Sequence, residues 1–161
     1  MRDDTEQTTR LISQLSYIDT WKLIVLAVVT MGIYLAYYIR RQSAVINAIS
    51  ASHESIPAWL VTACQLLAFS SLALFVSHLV TDNRMTHQAD EVIGLIFNIS
   101  LMAWGFAARQ SMHTLLKATP NSGFWFDGLW TVLLSPLYFN YRINSIAEVT
   151  PEVPASSAPT A

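Results

Sequence analysis

Apolar residues in this chain run in long blocks divided by short polar stretches. The blocks cover residues 21–39, 58–80, 92–108 and 124–141. The first carries one charge, Lys22, the second and third carry none, and the fourth carries Asp127. A helix needs about 20 apolar residues to cross roughly 30 Å of hydrocarbon. Each block is therefore expected to be a membrane helix. The expected fold is all-α: an integral membrane helical bundle of four transmembrane helices, or of three plus one re-entrant segment.

The fourth block decides between those two forms. Pro136 removes a backbone donor and collides with the preceding turn, so it kinks or breaks a helix there. The block then either crosses or dips in and returns. Irregular backbone at membrane depth persists only against protein or water.

The flanks fill in the rest of a domain at 21–146. Residues 1–8 are polar and read as disordered. Residues 9–20 place Leu11, Ile12, Leu15 and Ile18 at helical spacing, as in a short amphipathic helix on a membrane surface. Together, 1–20 form a polar tail ending in that interfacial helix. Residues 42–56 extend the first helix, and Pro57 suits the first turn of the second. The third helix is expected to continue past Arg109 towards Lys117. Residues 147–161, rich in Pro, Ala, Ser and Thr, read as a disordered tail.

Aromatic and basic residues mark the expected interfaces. Trp21 is placed at one, and Tyr34, Tyr37, Tyr38, Arg40 and Arg41 at the other. With four crossings, Arg2, Arg10, Lys22, Arg84 and Arg142 share one side, against Arg40, Arg41, Arg109 and Lys117 on the other. That balance leaves the positive-inside rule nearly silent. The Arg40–Arg41 pair tips the expectation to both termini outside. If the fourth block re-enters, Arg142 joins Arg40 and Arg41. Asp3, Asp4, Glu6 and Asp19 ahead of the first block do not fit a signal peptide, so that block reads as retained.

Composition supports the membrane reading. Hydrophobic residues make up 53% and charged residues 12% of the 161 positions, against about 25% charged in typical globular proteins. With 9 Lys+Arg against 11 Asp+Glu, and no basic stripe, nucleic-acid binding has no electrostatic support. The single cysteine, Cys64, lies in an apolar run, cannot form an internal disulfide, and reads as a core residue.

Two stretches carry a resemblance. WKLIVLAVVTMGIYLAYYIRRQSAVIN (Trp21–Asn47) and FDGLWTVLLSPLYFNYRINSI (Phe126–Ile146) resemble the opening and closing segments of the bacterial "domain of unknown function 4234" family of small integral membrane proteins. Tyr38 stands where that pattern favours Trp, and Pro136 departs from it as well. The resemblance implies a fold and an inner or plasma membrane location, not an activity. The two stretches also resemble each other: Gly32-Ile33-Tyr34 followed by Tyr37 matches Pro136-Leu137-Tyr138 followed by Tyr141. That match is either a decayed internal repeat or two interfacial tyrosine belts.

Three sets of residues could carry chemistry. His78, Asp82, His87 and Glu91, with Asp90, have ligand types that suit Zn or Mn. They match no recognised metal motif, and a plain polar loop is the preferred reading of them, with no metal expected. Arg40, Arg41, Arg109, His113 and Lys117 could hold anionic lipid head groups, or could simply anchor helices at the surface. Arg109 and Asp127 could form an intramembrane ion pair. Asn98, Gln65 and Asn140 read as interhelical hydrogen-bonding groups. No nucleophile motif, phosphate loop or cofactor signature occurs. The leading expectation is a non-enzymatic accessory or scaffold protein. Its partners are the bilayer, a second copy of the chain or a larger membrane protein. An oligomeric small transporter or channel is the first alternative. A lipid-modifying enzyme with a metal site is the second.

Overall fold

The computed structural model of the chain describes residues 2–50, 55–80, 84–119 and 123–149, with backbone alone for 2–7, 78, 79 and 84–86. All described elements are helical: α1 (Arg2–Leu15), α2 (Thr20–Val29), α3 (Ile33–Ile49), α4 (Ala58–Val80), α5 (Arg84–Leu115) and α6 (Gly128–Val149). Three helical stretches are long and apolar enough to cross a membrane: Thr8–Val29, Ala58–Ser77 and His87–Leu115. The first is interrupted, because α1 ends at Leu15 and the chain runs extended at Asp19 (φ −67°, ψ 143°) before α2.

The long pair is α4 and α5. At about 1.5 Å per residue, the 23 residues of α4 reach roughly 34 Å and the 32 of α5 roughly 48 Å. They pack along one another, joined by residues 81–83. Leu66, Phe69, Leu95, Ile96, Ile99 and Phe106 stand exposed on them. A water-soluble monomer does not tolerate an apolar surface that extensive. At the opposite end, α4 is tied to α3 by Asn47. Its Nδ2 donates to Ile56 O (2.9 Å) and its Oδ1 accepts from Ile56 N–H (2.7 Å).

The first block is not one helix. Helix α2 stops after ten residues, and the chain doubles back into α3. The stop is a Schellman-type ending. Gly32 N–H donates to Ala27 O (2.8 Å) and Met31 N–H to Val28 O (3.1 Å), with Met31 at φ 51° and Gly32 at φ 89°. Glycine is required at 32, because a Cβ there would be strained and would press on Phe97 Cε1 at 3.2 Å. The return is unmistakable further along. Tyr17 stacks on Tyr38 with ring centroids 6.1 Å apart, and Gln42 Nε2 donates to Leu15 O (2.9 Å). Residues 15–20 and 38–42 thus share one end. The expectation that Trp21 and Tyr38 mark opposite interfaces is corrected accordingly.

The fourth block also doubles back. Within α6 the backbone breaks at Ser135 (φ 35°, ψ −108°), next to Pro136. Phe126 then stacks on Phe139 (5.6 Å), Tyr138 Oη accepts from Asp127 N–H (2.9 Å), and Arg142 Nε donates to Trp125 O (3.0 Å). A straight helix would hold residues 126 and 139 roughly 20 Å apart. Residues 124–141 therefore turn back on themselves at Ser135–Pro136 instead of forming one straight helix. Gly32 and Pro136, the first residues of the repeated pattern, both sit at hairpin tips. Tyr34 and Tyr138 both fall in the first turns of the returning arms.

Both tips meet the middle of α5. Gly32 faces Phe97, and Ser135 Oγ donates to Leu101 O. The bases of both hairpins lie together: Asn140 Nδ2 donates to Ile18 O and to Thr20 Oγ1, each at 3.1 Å. Helix α1 closes this end by burying Leu11, Ile12 and Leu15 against α3 and α6. It starts at Arg2, so residues 2–8 are helical rather than disordered. Helix α6 runs on to Val149, three residues into the expected tail; residues 150–161 lie outside the described residues.

The Thr30 side chain ties the two arms together at the first tip. Thr30 Oγ1 donates to Leu26 O (2.7 Å) and accepts from Tyr34 N–H (2.9 Å). Thr30→Val, of equal size, should therefore cost about 1–2 kcal/mol by orphaning the Tyr34 N–H. A detergent unfolding titration reads it. Met31→Gly should stabilise by about 0.5–1 kcal/mol, because glycine adopts the left-handed conformation without strain. The same titration checks the sign.

Candidate functional site

The polar groups of the fold gather at the hairpin bases. Tyr38, fully buried, donates its hydroxyl to Asn140 Oδ1 (3.1 Å). Asn144 Nδ2 donates to Ile18 O (2.9 Å). Trp104, fully buried on α5, donates Nε1–H to Ser43 Oγ (2.8 Å) and meets Tyr38 and Phe139 edge-on. Side chains of α3, α5 and α6, and the Ile18 carbonyl of the 16–19 connection, are thus joined by hydrogen bonds. Such bonds fix helix positions where apolar packing is indifferent to rotation.

A second cluster lies on the α5–α6 side. His113 Nε2 accepts from Phe126 N–H (3.1 Å), and its ring stacks on Trp125 (4.3 Å). Arg109 Nε donates to Phe126 O (2.8 Å). Arg142 donates to Trp125 O and, through Nη2, to Gly123 O (2.7 Å). Two arginines and a histidine therefore clamp the backbone of residues 123–126, the entry to the second hairpin.

The expected ion pair between Arg109 and Asp127 is corrected. Asp127 Oδ1 accepts from Leu129 N–H (2.8 Å) and Trp130 N–H (3.4 Å) at the start of α6, while Arg109 turns to the Phe126 carbonyl. Asp127 is the N-cap of a short helix, a role that an acid directly before a helix start would have signalled.

The expected cationic set is brought to one end but divided in use. Arg41 lies over the Tyr17 ring at 3.5 Å. Arg109 and His113 bind backbone, as above. Arg40 and Lys117 are exposed. Tyr17 Oη, Arg41 Nη1 and Gln42 Oε1 are buried with no hydrogen-bond partner among the described residues.

The metal candidates lie elsewhere. Asp82 is outside the described residues, as is the side chain of His78. His87 and Glu91 sit near the start of α5, far from the hairpin bases. Among the described residues no three His, Cys, Asp or Glu converge. Asn98 is exposed and bonds its own helix at Gly94 O (2.8 Å), whereas Asn140 joins helices as expected. Cys64 is buried in the core. Between α2 and α6 runs a groove of about 510 Å³, walled by Thr20, Ile24, Trp130, Leu134, Leu137 and the two tyrosines 138 and 141. It is apolar and lined by no acid or base.

Sequence reasoning missed Gly105, Trp104 and Gln42 as organising residues. A Cβ at Gly105 would stand 2.6 Å from Ser135 Oγ. A lone glycine inside an apolar helix was the available signal for close helix approach.

A family model described as "Domain of unknown function (DUF4234)" matches residues 18–145. The match spans α2 through most of α6, including both hairpins. No curated protein matches the chain, and no solved structure does.

Proposed function

The chain belongs to the DUF4234 family, and from that premise we propose that it is a non-enzymatic membrane scaffold whose α4–α5 pair crosses the bilayer while both hairpins enter and leave by one face. The carrying observation is the return of both hairpins. It collects the 16–19 connection, the 123–127 entry, both described chain ends and the α3–α4 junction at one end of the molecule.

Charge supports this arrangement and orients it. Arg10, Lys22, Arg40, Arg41, Arg109, Lys117 and Arg142 all belong to the base end. Arg84, at the start of α5, belongs to the other. The nearly balanced distribution of a four-crossing arrangement becomes a strong bias, and the positive-inside rule then puts the base end in the cytoplasm. This reverses the earlier expectation of outside termini. Trp21, Trp59, Trp130 and Tyr141 are exposed near the bases, where an aromatic belt would lie. At the tip the N–H groups of Thr30, Met31 and Gly32 are all hydrogen-bonded, as irregular backbone at membrane depth requires of its donors.

A rigid platform with buried polar ties, packed aromatics and an apolar groove fits a holder of a second copy or a larger membrane protein. Accessibility of introduced cysteines tests it. In a Cys64→Ala background, cysteines at exposed positions 13, 48, 88, 119 and 148 meet a membrane-impermeant maleimide in inverted and right-side-out vesicles. Labelling of 13, 48, 119 and 148 from the inverted side, and of 88 from the other, is the expected result. Labelling of 13 and 48 from opposite sides would refute the arrangement.

A further inference from the structure

We infer that the protein is a wedge that favours, and at high density produces, curved membrane with its base end on the convex face. The inference rests on the arrangement proposed above and adds to it the consequence of unequal width. At the level of Trp104, the cross-section holds α3, α4, α5 and both arms of the second hairpin, with α2 beside them. Both tips stop at Phe97 and Leu101. From Phe97 back to Arg84, α5 rises roughly 20 Å further with α4 as its companion among the described elements.

From Val92 onward the exposed residues of that narrow portion are apolar. Val92, Leu95 and Ile96 face outward, as do Val76 and Val80 on α4, so this part is built to be surrounded by lipid tails rather than by more protein. His87, Gln88 and Glu91, exposed and polar, belong at head-group level. The wide portion carries the cations and also α1, whose burial against α3 and α6 adds width at head-group level. One leaflet must therefore make room for several more helices than the other. A leaflet that takes in extra area relaxes by becoming the outer, convex one. The hairpins hold their shape through hydrogen bonds and close glycine contacts, so the wedge does not flatten by sliding.

The test uses full-length protein in the Cys64→Ala background, with one cysteine at 148 bearing a fluorophore. It is reconstituted together into small sonicated and large extruded vesicles of phosphatidylethanolamine and phosphatidylglycerol. Single-vesicle imaging reads protein per lipid area, and an impermeant quencher reads orientation. The inference expects severalfold higher protein density on the small vesicles, with position 148 facing outward there. Equal density at both sizes overturns it. A parallel preparation labelled at 48 or at 88 separates the causes. If 48 shares the face of 148 and 88 does not, equal density removes the wedge and leaves the hairpin arrangement standing. If 48 and 148 lie on opposite faces, both fall. The milder Met31→Gly variant, which keeps the hairpin, should sort as the parent does; a loss of sorting there contradicts the inference.

Discussion

Replacing Gly105 with leucine should undock the second hairpin and destabilise the protein by about 3 kcal/mol or more, the upper range for overpacking a tight contact. The reason is local and geometric. A single Cβ at 105 would already stand 2.6 Å from Ser135 Oγ, 3.2 Å from Thr131 Cγ2 and 3.5 Å from Ser135 Cα. The serine oxygen cannot easily retreat, because it is bonded to Leu101 O on the same α5. The only escape is a shift of the hairpin away from α5, which also breaks that bond. Gly105→Ala should show a smaller form of the same effect, about 1–2 kcal/mol. Adding Ser135→Gly should recover part of that loss, since glycine removes the nearest clashing atom and accepts φ 35° without strain. Unfolding in a denaturing-detergent titration reads all three variants. An alanine variant as stable as the parent would contradict the contact.

Asn140→Leu should cost about 2–3 kcal/mol, more than leucine's similar bulk would imply. Asn140 is fully buried and links three elements at once. Losing it orphans the fully buried Tyr38 hydroxyl, and an unsatisfied buried donor costs about 1–3 kcal/mol. The Ile18 carbonyl suffers less, because Asn144 still donates to it. Bonds between helices in bilayers average well under 2 kcal/mol each, so the expected total requires at least two of the three to matter. The double variant Tyr38→Phe/Asn140→Leu should be less damaged than the sum of its singles, because removing both partners leaves no orphan. Strict additivity would show that the Tyr38–Asn140 bond contributes nothing.

Much of the fold was legible in the chain. The uncharged run at 58–80 coincides with α4 to the residue. The third block and its extension past Arg109 fall within α5, which ends at Leu115. Hydropathy could not show direction. An arm of ten residues, a turn and a returning arm read as one apolar run of crossing length, because a sliding window records preference for oil and nothing about where the chain turns. The signals for turning were present but short. Gly32 interrupts the first block, Pro136 the fourth, and the Gly-Ile-Tyr and Pro-Leu-Tyr patterns repeat at both tips. Read as tyrosine belts, those residues mark interfaces; read as tips, they mark turns against the middle of α5. The site followed the same logic. Asp127 looked like a buried charge seeking Arg109 only while residues 124–141 were taken as one helix. Once the helix starts at Gly128, the same side chain is its cap. The contact partners of Trp104 and Gly105 depend on which helices face α5, and no local pattern encodes that.

The first hairpin turns back at Thr30–Gly32, and a distance across it tests this most directly. Spin labels on cysteines at exposed positions 14 and 44, in the Cys64→Ala chain reconstituted in lipid, report that distance by pulsed electron resonance. A returning hairpin, with Gln42 bonded to Leu15, predicts a separation of about 10–20 Å, far short of the hydrocarbon thickness. A helix that crossed would hold the labels roughly 30 Å apart or more, and that reading would contradict the account.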